Sequence, residues 1–169
     1  MIQREEFQVS NMSDLLNQRG QIRYSYLVVD ASKVLNLVHI MEALYLKNIC
    51  LFDGAIYEEC IDVAPYLIDI TQFEYGAEDT LWEIINDGNG VLIFSEDEIA
   101  PLKRHLKKFL RAIVDQKQVF VKFYTAANFL YVLETIDQFK SFFAMVPKIV
   151  LADVGPNNEF LSISKFGAE

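Results

Sequence analysis

The sequence predicts an α/β fold in which helices pack on a mixed β-sheet and a β-hairpin lies at the C-terminal end. Apolar strand-like runs alternate with helix-like segments for most of the chain, which is typical of a sheet with helices on its faces. The runs YSYLVVD and VLIF have no polar face, as expected of strands covered on both sides. The chain has 169 residues, 52% of them hydrophobic, which suits one domain with a sizeable core.

The N-terminal segment differs from the rest of the chain in being mostly polar. Residues 1–22 are predicted to form a peripheral arm with one short helix, for which Ser13 is the N-cap and Gly20 the stop signal. Residues 23–169 are predicted to form a single domain, because no linker or internal repeat divides them.

The first half of this domain alternates strands and helices. In chain order we expect a strand at 24–30, an amphipathic helix at 34–45, a strand at 48–52, a helical turn at 55–60, a strand at 63–70, a helix around 81–85 and a strand at 91–94. Asp30 and Ser32 are placed to cap the first helix. Pro65 puts its strand at a sheet edge or at a strand start, because proline has no N–H to donate.

The second half begins with the longest predicted helix. It starts near Asp97, since Pro101 is tolerated only in or near a first turn, and its apolar stripe runs to about Ile113. After it we expect a strand at 119–124, helices at 127–136 and 139–143, and strands at 149–153 and 160–165. The last two strands are predicted to form a hairpin around the loop at 154–158.

Composition and charge exclude several classes of protein. With 24 acidic and 15 basic side chains the net charge is −9, which argues against a nucleic-acid partner. No apolar run approaches the ~18 residues that a membrane span needs, and no signal-peptide pattern opens the chain. Cys50 and Cys60 fit no metal-ligand spacing and are expected to be reduced thiols. We therefore expect a soluble, cytoplasmic protein that has no membrane partner.

The strongest candidates for catalysis are carboxylates at strand ends, where open α/β sheets place their active sites. Asp30 and Asp153 would converge on a metal in a small metal-dependent hydrolase. The alternative is structural: Asp30 caps a helix, and Asp53 and Asp153 open turns. His39 and Glu42 supply only two metal ligands on a polar helix face, so we expect them to be solvent-exposed surface residues and not a metal site.

Two features point instead to protein binding. The first is a basic cluster on the long helix with five positive charges, namely Lys103, Arg104, Lys107, Lys108 and Arg111. This cluster either binds a partner or simply faces solvent on the side of the helix opposite its apolar stripe. The second is a surplus of aromatic residues in the C-terminal half, part of which is expected to form an exposed docking patch: Phe120, Tyr124, Tyr131, Phe139, Phe142 and Phe143. His105, on the same helix, is expected to be a packed histidine.

Several blocks of sequence carry a family resemblance. In order they are YLVVDA at 26–31, LFDG at 51–54, DVAPYL at 62–67, GVLIF at 90–94 and LKRHLKKFL at 102–110. Together they resemble the effector adaptor and chaperone family of the bacterial type VI secretion system. Two blocks depart from that pattern. KFYTAA at 122–127 stands where the family has Arg-Phe-Tyr-Asp-Pro-Arg, and FFAM at 142–145 stands for Phe-Phe-Gly-Pro.

The resemblance implies a non-enzymatic function. Members of this family bind a toxic effector in the producing cell and help to load it onto the spike protein of the secretion machine. The expected partners are therefore a secreted effector, bound through its N-terminal region, and the spike protein. No cofactor is required. Lys103, Arg104, Lys107, Lys108, Arg111, Tyr124, Tyr131, Phe139 and Phe142 are the predicted partner-binding residues.

Overall fold

A computed structural model describes residues 2–152 and 159–165 of the chain. In chain order its elements are β1 (Ile2–Gln8), α1 (Met12–Leu16), β2 (Tyr24–Asp30), α2 (Leu37–Ala43), β3 (Asn48–Cys50), α3 (Gly54–Cys60), β4 (Pro65–Asp69), α4 (Glu78–Asn86), β5 (Gly90–Ser95), α5 (Ile99–Lys107), β6 (Arg111–Val114), β7 (Lys117–Phe120), α6 (Ala126–Thr135), β8 (Lys148–Ala152) and β9 (Glu159–Lys165). Short 3-10 helices lie at Asn17–Arg19, Tyr75–Ala77 and Asp137–Ala144.

A seven-stranded sheet forms the centre of the molecule, with strand order β1-β9-β8-β5-β2-β4-β3. The predicted α/β class and the C-terminal hairpin are confirmed, since β8 and β9 pair directly. The sequence predicts a mixed sheet, and the described pairings are all antiparallel. Short helices such as α3 connect neighbouring antiparallel strands instead of crossing back over the sheet. The hairpin loop at 154–158 lies outside the described residues.

The two faces of the sheet are buried in two separate hydrophobic cores. On β2, Tyr26 and Val28 point into one core, which α5, α6 and the helix Asp137–Ala144 cover. Leu27 and Val29 point into the other core, which α1, α2 and α4 cover. This alternation follows from the period of two along a strand. It explains why both YSYLVVD and VLIF lack a polar face.

The N-terminal segment is part of the sheet, which differs from the predicted polar arm. β1 pairs along its whole length with β9, from Ile2 opposite Lys165 to Gln8 opposite Glu159. The N-cap of α1 is Asn11 instead of Ser13, and Leu15 of this helix is buried. A polar sequence suits an edge strand because most of its side chains face solvent.

The largest correction concerns the predicted long helix. α5 ends at Lys107, and the chain tightens through three turns with i to i−3 hydrogen bonds before β6 begins at Arg111. The predicted strand at 119–124 is wrong in its bounds, because β7 spans Lys117–Phe120. β6 and β7 form a separate two-stranded sheet. The prediction was wrong because Phe109 and Leu110 continue the helical spacing of apolar residues, although they lie beyond the end of α5 and are buried there.

The predicted helix at 34–45 begins later, at Leu37, after a turn in which Asn36 has φ 60°. Asp30 does not cap this helix. Its carboxylate accepts hydrogen bonds from the Ser32 backbone N–H, at 2.9 Å, and from the Ser32 hydroxyl. Within the described ranges, no helix is long and apolar enough to span a membrane.

Candidate partner-binding surface

The β6–β7 hairpin projects apolar side chains from the body of the protein. Asp115 and Gln116 form its two-residue turn, with φ values of 51° and 66°, so both lie in the left-handed region that a type I′ turn requires. Arg111 lies directly opposite Phe120. One face of the hairpin therefore carries Arg111, Ile113, Gln118 and Phe120, and the other carries Ala112, Val114, Lys117 and Val119.

Large apolar side chains on this hairpin remain in contact with solvent. Ile113 is 76% exposed and Phe120 is 49% exposed, and Val114 and Val119 are also exposed. Tyr131, on the neighbouring helix α6, is 68% exposed. We call these five side chains the hairpin surface. Four of them, Val114, Val119, Phe120 and Tyr131, line one cavity together, and such a cluster is typical of an interaction site, whereas single exposed apolar residues are common.

A groove lies between the hairpin and helix α3, and we call it the hairpin groove. Its volume is about 440 Å³. Its apolar lining consists of Leu51, Phe52, Ile56, Leu110 and Phe120. Phe120 packs edge-on against Phe52, with ring centroids 5.7 Å apart. The polar residues at the groove are Asp53, Lys107 and Arg111.

A second, smaller cavity of about 270 Å³ lies between the hairpin and α6. Phe120 lines it as well, together with Val114, Val119, Tyr131 and Val132. The same aromatic ring therefore borders two apolar depressions, which makes it the central residue of the hairpin surface.

Ion pairs connect the start of α3 to helix α5. The Asp53 carboxylate accepts a hydrogen bond from Lys103 Nζ at 2.6 Å and another from Lys107 Nζ. These two ammonium groups lower the pKa of Asp53 to about 2. Among the described residues, Arg104, Lys108 and Arg111 have no carboxylate within ion-pair distance. Of these three, Arg111 lines the groove together with Lys107 and Asp53, so the groove rim has a net positive charge although the chain as a whole is acidic.

The predicted basic cluster is divided by the structure. Lys103, Arg104 and Lys107 lie on α5, Lys108 follows it, and Arg111 opens β6. Lys103 is half-buried against Asp53, whereas the other four residues are exposed. Only Lys107 and Arg111 line the hairpin groove.

Four of the six predicted docking aromatics belong to the core instead, namely Tyr124, Phe139, Phe142 and Phe143. Tyr124, Phe139 and Phe142 are fully buried, so they present no surface to a partner in this structure. Phe142 contacts five other phenylalanine rings at centroid distances between 5.1 and 6.1 Å. Burying such rings removes a large apolar area from water and so stabilises the folded state, which explains why they lie in the core. Of the six aromatic residues predicted for the docking patch, Phe120 and Tyr131 are exposed.

Sequence reasoning missed the hairpin residues Ile113, Val114 and Val119, and Ile56 on α3. The signal was present in RAIV and KQVF, two short runs on either side of a polar pair. Asp-Gln is a weak turn signal compared with Asn-Gly or Asp-Gly, and the helical spacing that continues to Ile113 obscured it.

The candidate catalytic residues do not form a site in the described part of the chain. Asp30 is fully buried, and Lys122 Nζ lies 3.8 Å from its Oδ2. Asp153 lies outside the described residues. No group of three or more His, Cys, Asp or Glu residues lies close enough together to hold a metal ion, within residues 2–152 and 159–165. Nothing observed favours the hydrolase alternative.

The remaining titratable candidates are structural. His105 is buried, and its Nε2 donates to the carbonyl oxygen of Phe142 at 2.8 Å, because a carbonyl can only accept. Burial lowers the pKa of this imidazole below its usual 6.5. His39 and Glu42 are both exposed. Cys50 and Cys60 are free thiols.

The fold and this surface together describe an α/β domain that carries an exposed apolar hairpin beside a basic helix end. The chain belongs to the family described as a domain of unknown function, DUF4123, whose family model matches residues 25–140. The hairpin surface and both depressions lie inside that range. No curated protein and no solved structure matches the chain.

Proposed function

We propose that this protein is a cytoplasmic adaptor of the type VI secretion system that binds a toxic effector and helps to load it onto the spike protein. Membership of the DUF4123 family and the resemblance of blocks such as DVAPYL to the adaptor family support the proposal. The observation that carries it is the hairpin surface, a set of clustered apolar side chains on an element that contributes little to the core.

The mechanism is stoichiometric binding. The hairpin surface, with Phe120 at its centre, covers apolar surface of the effector. Without this cover the effector would aggregate or act in the producing cell. The groove beside the hairpin surface gives the complex its orientation. Loading then transfers the effector to the spike protein, and the adaptor stays behind. No bond is made or broken, so no cofactor is needed.

Co-expression tests this function directly. The chain is produced together with a candidate effector encoded beside it in the genome, and the complex is analysed by size-exclusion chromatography with light scattering. We expect a stable complex of defined stoichiometry, and a decrease in soluble effector when the adaptor is omitted. Effector export should fall in proportion to the amount of adaptor, since a binder does not turn over. Normal export from cells that lack the adaptor gene would overturn the proposal.

A further inference from the structure

We propose that the hairpin groove binds an amphipathic helix of the effector that carries acidic residues beside its apolar anchors. This inference rests on the proposed adaptor function and adds to it the chemistry of the bound segment. It follows from the shape of the groove, the state of its backbone groups and the charges on its rim.

The size and lining of the groove call for large apolar side chains. About 440 Å³ is enough for more than one leucine or phenylalanine side chain, and the floor is formed by Leu51, Phe52 and Leu110. Phe120 separates this groove from the smaller depression beside Tyr131. Anchors one helical turn apart, at i and i+3 or i+4, would place a side chain on each flank of such a ridge.

Backbone groups of Leu51 and Leu110, which line the groove, are already paired within the protein. The Leu51 N–H donates to the Pro65 carbonyl at 2.9 Å, and the Leu110 carbonyl accepts from the Val121 N–H at 2.7 Å. Because apolar side chains form most of the groove lining, a bound segment is best accommodated when it pairs its own N–H and C=O groups. An α-helix pairs these groups within itself, whereas an extended strand does not.

The charge on the rim selects acidic flanking residues. Asp53 is already paired with Lys103 and Lys107, so its negative charge is neutralised. Arg111 lies directly opposite Phe120 on the hairpin, and Arg111 and Lys107 both line the groove. A glutamate or aspartate one turn from an anchor would meet these cations, whereas a lysine there would be repelled.

Synthetic peptides test this chemistry on the intact chain. One probe is a helical peptide of about 18 residues, roughly 27 Å long, with leucines at i, i+3 and i+7 and glutamates beside them on an alanine background. The second replaces each glutamate with lysine, and the third is a scrambled version of the first. Binding is measured by fluorescence anisotropy at low and at physiological salt.

We expect the glutamate peptide to bind about tenfold more tightly than the lysine peptide at low salt, and the ratio to shrink as salt rises. This result is diagnostic because the chain carries a net charge of −9, so unspecific attraction would favour the lysine peptide. Equal binding, tighter binding of the lysine peptide, or no difference from the scrambled peptide would overturn the inference.

Two variants with matched controls locate the binding site. Phe120→Ser should weaken binding of the glutamate peptide by about tenfold or more, as expected for a central aromatic anchor, whereas Tyr75→Ser should not. Tyr75 is an exposed aromatic residue outside both depressions. Arg111→Glu should reduce the preference for glutamate over lysine several-fold, and Lys33→Glu, which changes the net charge equally, should leave it unchanged.

The same variants in the co-expression experiment separate this inference from the adaptor function. If the effector complex forms and survives both Phe120→Ser and Arg111→Glu, the adaptor function stands and the groove assignment is wrong. If the peptides bind as expected but no effector complex forms, the groove assignment stands and the adaptor function is wrong. Circular dichroism of each variant confirms that it is folded.

Discussion

Replacing Tyr124 with phenylalanine is expected to leave the protein equally stable or to make it more stable. Tyr124 is fully buried, and within the described residues its hydroxyl has no hydrogen-bond partner. Burial and the nearby Asp30 carboxylate both raise the pKa of this phenol above its usual 10, because they disfavour the phenolate. The substitution removes one oxygen atom and keeps the ring, so the packing around it is preserved.

The magnitude follows from the cost of burying an unpaired polar group. A hydroxyl taken from water without a new hydrogen bond costs roughly 1–3 kcal/mol. Part of that cost is returned when the hydroxyl is removed, less the contacts that the oxygen itself makes. We therefore expect the free energy of unfolding to rise by between about 0 and 2 kcal/mol.

Tyr26→Phe is the matched control. Tyr26 is buried to the same extent, but its hydroxyl donates to the Asp97 carbonyl at 2.8 Å. Removing that hydroxyl breaks the bond and leaves the carbonyl unpaired, so the free energy of unfolding should fall by about 0.5–1.5 kcal/mol. The two variants, which differ from the parent by the same atom, should therefore differ from each other in stability by at least about 0.5 kcal/mol, with Tyr124→Phe the more stable.

Urea denaturation measures both changes. The chain has one tryptophan, Trp82, which packs against Phe160 between helix α4 and the sheet and reports on tertiary unfolding. Midpoints are compared at an unchanged slope, so that a shift reflects stability alone. If Tyr124→Phe destabilised the protein as much as Tyr26→Phe, the Tyr124 hydroxyl would have a partner in solution and the reasoning would be refuted.

Three further outcomes are expected. Burial lowers the pKa of His105 below 6.5, so the unfolded chain binds a proton at this imidazole more readily than the folded chain does. The free energy of unfolding should therefore fall as the pH drops below about 6.5. His105→Gln should make it depend less on pH in urea titrations. The lysines that hold the pKa of Asp53 at about 2 stabilise the folded state above about pH 4, and this contribution is lost between about pH 4 and pH 2. Because the Asp53 side chain is half-exposed, Asp53→Asn should lower the free energy of unfolding by well under about 1 kcal/mol at pH 7, as measured by thermal unfolding. Phe142→Ala should lower the free energy of unfolding by about 3–5 kcal/mol because Phe142 is buried in the core, and Phe120→Ala by about 1 kcal/mol because Phe120 is half-exposed. Equal losses in denaturant unfolding would contradict the assignment of Phe142 to the core and Phe120 to the surface.

Much of the fold could be predicted from local patterns. The strand YSYLVVD and the strand VLIF are correctly placed because a strand buried on both faces needs apolar residues at every position. Pro65 opens its strand as predicted, since a strand start has no need of its N–H. These elements depend on the chemistry of a few consecutive residues, which the sequence displays directly.

The candidate surface was much harder to predict. The basic residues from Lys103 to Arg111 were identified, but their pattern did not reveal that Asp53, 50 residues away from Lys103, neutralises part of their charge. Tyr124 and Phe142 were expected at the surface because sequence spacing does not count the neighbours that bury a ring. Phe120 was recognised as one aromatic among several, and only its position beside two depressions singles it out.

The sequence by itself determined the α/β class, the doubly covered central strands, the C-terminal hairpin and the family to which residues 25–140 belong, because these features are encoded in local composition, periodicity and motif order. Only the tertiary structure decided that residues 2–8 complete the sheet, that the helix gives way to a hairpin at Arg111, and which aromatic rings face solvent. Pairing partners and burial depend on residues far apart in the chain, and no local pattern records what lies across a strand or above a ring.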